Sequence, residues 1–63
     1  MRYVTVTSTT SDDGSEYWLR NAMKTYWLNR EDAEREIDKM LPVFKANASI
    51  YTDDELEREL RRR

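Results

Sequence analysis

The complete absence of cysteine and histidine is the feature that most constrains how this chain can fold. A chain of 63 residues buries only about 60% of the surface that its unfolded form exposes, so its hydrophobic core is small. Without cysteine no disulfide can supplement that core, and without histidine or cysteine no usual zinc site can do so. We therefore expect one small domain over residues 1–63, with no metal site and no cofactor.

The same absence removes a large part of enzyme chemistry. Neither a Ser–His nor a Cys–His nucleophile pair can be built, and general acid–base catalysis by imidazole is excluded. Gly14 is the only glycine, which excludes a glycine-rich loop that would hold a phosphate group. We therefore expect a protein that is not an enzyme.

Charge and hydropathy narrow the range of partners. Eleven basic and thirteen acidic residues give a net charge of −2, whereas a general nucleic-acid-binding domain is usually basic. The longest apolar run has three residues, as in residues 17–19, so the sequence predicts neither a membrane span nor a secretory signal. We expect a cytoplasmic protein that has no membrane partner.

The N-terminal third of the chain predicts two strands joined by a tight turn. Val4 and Val6 alternate with polar, mostly β-branched residues over residues 2–10, which is typical of a half-buried strand. Asp13-Gly14 is typical of a hairpin turn, because glycine adopts a positive φ without strain. Residues 16–20, which are rich in aromatic side chains, are predicted to form the return strand.

Residues 21–28 fit two interpretations. A helical spacing is present, because Leu19, Ala22, Met23 and Tyr26 would share one helix face. Residues 24–28 also contain Thr-Tyr-Trp, which favours a strand. We favour the strand, because a strong helix start follows it immediately.

That helix is predicted over residues 29–41. Asn29 is a good N-cap, and the acidic residues that follow it suit the positive end of the helix dipole. Apolar residues recur from Ala33 onward at the spacing of a single helix face. Pro42 is expected to end the helix, because proline cannot donate the next backbone hydrogen bond.

A second helix is predicted over residues 52–61. Thr52 and Glu55 have the spacing of a capping box, and Leu56 and Leu60 are the only apolar residues that follow. The basic residues 61–63 suit the negative end of the helix dipole. A short edge strand is also predicted over residues 48–51.

These elements predict an α+β fold. We expect a two- or three-stranded antiparallel meander that packs its valine face on the 29–41 helix, while the threonine face is wet or contacts a partner. The expected core is Val4, Val6, Leu19, Leu28, Ala33, Ile37, Met40, Leu41 and Phe44.

Four of the seven aromatic residues form two adjacent pairs, Tyr17-Trp18 and Tyr26-Trp27. Neighbouring residues of a strand point to opposite faces, so each pair is expected to place one ring in the core and one outside. Exposed Tyr and Trp side chains are typical of binding surfaces. Together with Arg20 and Lys24, these four aromatic residues are the predicted partner-binding site, although coverage by the C-terminal segment explains them equally well.

In plan, the chain resembles small accessory proteins of phages and mobile elements. The resemblance rests on the Asp13-Gly14 turn and on Lys24-Thr25-Tyr26-Trp27-Leu28, which leads directly into a helix that starts Asn29-Arg30-Glu31-Asp32-Ala33-Glu34. This resemblance implies an inhibitor of a host protein, of the anti-CRISPR kind. The same plan is similar to the arm-type DNA-binding domains of integrases.

Three functional hypotheses follow. The first is a protein-binding module, in the form of an inhibitor that acts through an aromatic sheet face. The second is a DNA-binding domain whose sheet enters the major groove through Arg2, Thr5, Thr7, Arg20 and Lys24. The third is a structural or oligomerisation module, or a designed protein. We expect a monomer, with a homodimer through Leu56 and Leu60 as the alternative.

Overall fold

The computed structural model describes residues 1–63 and shows three antiparallel strands and four helices, which confirms the α+β fold. In chain order the elements are β1 (Tyr3–Thr7), α1 (Glu16–Asn21), β2 (Met23–Trp27), α2 (Arg30–Lys39), α3 (Pro42–Ala46), β3 (Ser49–Thr52) and α4 (Asp53–Arg62).

The first strand lies in the middle of the sheet, whose strand order is β2-β1-β3. Val4 pairs with Tyr26 on one side and with Tyr51 on the other. The expected meander would place neighbouring strands in chain order, so that detail was wrong. The predicted strands at 24–28 and 48–51 are present with slightly shifted bounds, and the strand predicted over 2–10 is shorter.

The valine face of the sheet carries the main core. Val4 and Val6 are fully buried, and they pack with Leu56 of α4 and with two residues of α1, Trp18 and Leu19. Helix α4 therefore docks on its own sheet, as Leu56 and Leu60 require. The prediction that the 29–41 helix covers the valine face was wrong, because α1 and α4 occupy that place.

The threonine face lies beneath α2, which packs on β1 and β2. Thr5 and Thr7 are each only 2% exposed, although the sequence predicts that this face is wet or contacts a partner. The Thr5 hydroxyl donates to the Thr25 carbonyl at 3.3 Å and accepts the Trp27 Nε1–H at 3.2 Å. A satisfied hydroxyl costs little to bury, so threonine can replace an apolar residue here.

Residues 16–20 form most of α1, so the return strand predicted there was wrong. Ser15 caps this helix, because its hydroxyl accepts the Trp18 backbone N–H at 3.0 Å. Gly14 has a φ of 81°, as a turn glycine should, but the turn leads into a helix. The Asp12 carboxylate accepts the Gly14 N–H at 2.8 Å, which shapes the loop locally.

The helix predicted over residues 29–41 ends earlier than expected at its C-terminal end. α2 ends at Lys39, and Pro42 begins the separate short helix α3, where a missing N–H costs nothing. Leu41 lies in the break and is 66% exposed, and Leu28 is 77% exposed before α2. Both had been expected in the core, whereas Trp18 and Leu56 are the core residues that the prediction omitted.

Arg63 ties the C-terminal helix to the loop before α1. Its guanidinium donates to both carboxylate oxygens of Asp12 at 2.6 Å and to Glu59 at 3.1 Å. The side chain of Arg63 is only 9% exposed. These hydrogen bonds lower the pKa of Asp12 and raise the pKa of Arg63.

Candidate protein-binding surface

In each of the two aromatic pairs, one ring is exposed and the other is buried or half-buried. Tyr17 is 78% exposed, whereas its neighbour Trp18 is buried. Tyr26 is 46% exposed, and Trp27 is half-buried. In the first pair a helix produces this separation, because residues 18, 19 and 22 face the sheet and leave Tyr17 outside.

Both tryptophans use their indole N–H groups inside the chain. Trp18 Nε1 donates to the Thr10 carbonyl at 3.1 Å and to the Thr10 hydroxyl at 3.2 Å, which holds the loop after β1. Trp27 Nε1 donates to Thr5, as described above. These rings therefore support the fold, and of the four aromatic candidates Tyr17 and Tyr26 are available to a partner.

Lys24 and Arg20 also have internal partners. The Lys24 ammonium donates to the carbonyls of Arg20 and Ala22 at 3.1 and 3.0 Å, so it satisfies the C-terminal end of α1. Burial lowers the pKa of Lys24, and the neighbouring charge of Arg20 adds to this effect. The Arg20 side chain pairs with Glu16 one helical turn earlier.

Strand β2 forms one edge of the sheet, and its outer side is open. Outside its pairing with β1, its backbone takes part in only one other hydrogen bond, from the Thr5 hydroxyl to the Thr25 carbonyl. Three of its five residues have exposed side chains, and Leu28 follows directly. We call Met23, Thr25, Tyr26 and Leu28 the β2 edge surface.

Tyr26, which belongs to the β2 edge surface, contacts the cationic side chain of Arg2. The Arg2 guanidinium carbon lies 4.6 Å from the ring centroid, within the range of a cation–π interaction. Arg2 also donates to Asp53 at 3.4 Å. Tyr26 is therefore oriented before any partner arrives, which reduces the entropy lost on binding.

A shallow groove of about 200 Å³ opens on the threonine side of the sheet, where β2 begins. Its lining is mostly apolar and consists of Thr7, Met23, Glu36, Met40, Leu41 and Phe44. Met23 is 63% exposed and also belongs to the β2 edge surface. The groove and the open edge therefore meet at this residue.

The DNA-binding hypothesis requires residues that the structure does not bring together on an open face. Thr5 and Thr7 are buried beneath α2, and the valine face is covered by α1 and α4. Arg2 pairs with Asp53, and Lys24 is engaged with α1. No sheet face is left to enter a major groove.

Sequence reasoning missed the exposure of Met23 and Leu28 and the whole groove. Pro42 indicated that the helix ends there, but the sequence pattern did not predict that Leu41 would be exposed in the break.

No group of three or more acidic side chains is arranged to hold a metal ion. None of the four helices combines the length and apolar character needed to span a membrane.

No protein-family model, no curated protein and no solved structure matches this chain.

Proposed function

We propose that the chain is a non-enzymatic protein-binding module that acts through the β2 edge surface. The supporting observation is the group of exposed apolar side chains on β2 and directly after it. Three of the seven large exposed hydrophobic residues lie there: Met23, Tyr26 and Leu28. Exposed aromatic and methionine side chains beside an open strand are typical of binding surfaces.

The partner would be a protein that the module inhibits by occupying its surface. This part of the proposal comes from the resemblance to small phage and mobile-element proteins, and it assumes a cytoplasmic setting. The module itself would be monomeric, because Leu56 is only 5% exposed and Leu60 packs against the same core. Light scattering tests this assignment, and a concentration-dependent dimer of wild type would contradict it.

Capture of a partner from a lysate of the source cell tests the binding function. Tyr26→Ala is the informative variant, and Val43→Ala is its control, because Val43 is also 46% exposed but lies on α3. We expect wild type and the control to capture the same protein. The Tyr26 variant should bind it roughly thirtyfold more weakly, as for a binding hot spot of about 2 kcal/mol.

Circular dichroism of each variant shows that the fold is retained. The proposal would be abandoned if the partner were captured equally by four proteins: wild type, Tyr26→Ala, Val43→Ala and Tyr17→Ala. That result would show that the exposed rings of Tyr17 and Tyr26 do not bind the partner.

A further inference from the structure

We propose that β2 accepts an extended strand of the partner, and that this strand places an arginine or lysine side chain in the groove beside Glu36. The inference rests on the protein-binding function proposed above and names the chemistry of the segment that would be bound. Three observations support it: the open edge of β2, the unpaired carboxylate of Glu36, and the position of Met23, which belongs to both the edge and the groove.

The open edge is suited to strand addition. In an antiparallel pair, alternate residues direct their N–H and C=O groups away from the neighbouring strand, and on β2 these outward groups have no partner in the chain. β3, the other edge, has four residues, and the Thr52 N–H at its end donates to the Glu55 carboxylate. β2 is therefore the longer and less protected edge.

Proteins commonly protect an edge strand with a lysine that projects into solvent. β2 contains one lysine, Lys24, but its ammonium is turned back onto the carbonyls of Arg20 and Ala22. The edge is left with threonine and aromatic residues, which favour strand pairing. An incoming backbone would thus meet no free cation on β2 itself.

The groove supplies the chemical selection. Glu36 lines it together with Met23, Met40, Leu41 and Phe44, and its carboxylate makes no ion pair or hydrogen bond within the chain. The other residues of the lining are apolar except Thr7. Lysine and arginine combine a long apolar stem with a cationic end, so they match an apolar groove that holds one carboxylate.

Met23 connects the edge to the groove. A residue added opposite Met23 would lie on the same face of the sheet, with its Cβ about 5 Å from that of Met23. Met23 itself lines the groove. The added side chain would therefore start at the mouth of the groove, and its apolar stem would pass Met23 and Leu41 toward Glu36.

Selection from a random heptapeptide library displayed on phage tests the proposal, with the intact chain immobilised. We expect wild type to enrich arginine or lysine at one position within sequences that alternate in hydropathy. Glu36→Lys should reverse this preference toward aspartate or glutamate. Glu31→Gln is the matched control for Glu36→Gln, because Glu31 is another α2 carboxylate without an ion pair, outside the groove.

The best wild-type peptide is then measured by titration calorimetry. Glu36→Gln should weaken its binding roughly fivefold or more, as expected for one half-buried charged hydrogen bond, and Glu31→Gln should not change it. Methylation of alternate backbone nitrogens of the peptide should abolish binding, because strand addition needs those N–H groups.

Several results would overturn the inference. They are an absence of enriched peptides, enrichment without a basic position, no reversal by Glu36→Lys, and binding that is insensitive to backbone methylation. A wild-type dimer paired through β2 would also overturn it, because a second copy would then occupy the edge. If partner capture still depends on Tyr26 in any of these cases, the protein-binding function stands and only this inference fails.

Discussion

Replacement of Trp18 separates a structural role for this ring from a binding role. The indole is buried in the main core and donates two hydrogen bonds to Thr10. Trp18→Ala removes a large core side chain, which typically costs about 3–5 kcal/mol. Domains of this length have a free energy of unfolding of about 3–9 kcal/mol, so this variant should be largely unfolded or only marginally stable.

Trp18→Phe keeps one aromatic ring in the core but loses the indole N–H and part of the ring system. Because Thr10 is exposed, its freed carbonyl can bind water, so the lost hydrogen bonds cost about 1 kcal/mol and the lost packing about 1 kcal/mol more. A small domain has a urea m-value of about 1 kcal/mol per molar, so the midpoint should fall by about 2 M. Tyr17→Ala, at the exposed neighbour, should change stability by less than about 0.5 kcal/mol.

Urea unfolding followed by far-ultraviolet circular dichroism measures all three variants without relying on tryptophan fluorescence. The expected order of stability is Tyr17→Ala, then Trp18→Phe, then Trp18→Ala. If Trp18→Ala is as stable as Tyr17→Ala, then Trp18 does not form part of the core, and the placement of α1 on the valine face is wrong.

Three further outcomes are expected. Because Arg63 lowers the pKa of Asp12, the Asp12 carboxylate stabilises the fold above its unfolded-state pKa of about 3.9, and this stabilisation is lost as the pH falls further. Asp12→Asn should therefore reduce the fall of the urea midpoint at acid pH. An unchanged dependence of the urea midpoint on pH would contradict this. Thr52→Ala breaks the capping box of α4 and should cost about 1 kcal/mol in urea unfolding, and no loss would mean that α4 does not depend on its cap. Leu56→Asp should unfold the chain, whereas Leu41→Asp should leave its circular dichroism spectrum unchanged; equal effects would contradict the docking of α4.

The sequence predicted the elements with clear local signals. Asn29 and the apolar face that follows located α2, and the Thr52–Glu55 spacing located α4. The strand predicted over residues 16–20 was wrong because the helix cap at Ser15 overrides the strand preference of the aromatic residues. A serine followed by glutamate and then by apolar residues is itself a helix start, and it was available as a signal.

The assignment of faces could not be obtained from local pattern. Val4 and Val6 alternate with Thr5 and Thr7, which normally indicates one dry and one wet face. Here both faces are covered, and the Thr5 hydroxyl finds partners at Thr25 and Trp27, which are distant in sequence. Only the tertiary arrangement shows that those partners are present.

The candidate site was predictable in outline but not in detail. Adjacent aromatic residues indicated that some rings would remain outside, and Tyr17 and Tyr26 do. Which ring of each pair faces the core depends on whether the segment is a helix or a strand. The groove depends on where α2 stops and α3 begins, and this places Met40 and Phe44 beside Met23.

The position of the first strand at the centre of the sheet also governs the order in which the chain can fold. β1 can pair early with β2, whereas its second neighbour, β3, lies farther along the chain, after α2 and α3. A chain in which only β1 and β2 have paired leaves one side of β1 open, and its valine face lacks Leu56. Contacts between distant segments form slowly, and unpaired strands are prone to aggregate. The addition of β3 and α4 is therefore the folding step that removes the aggregation-prone side of β1.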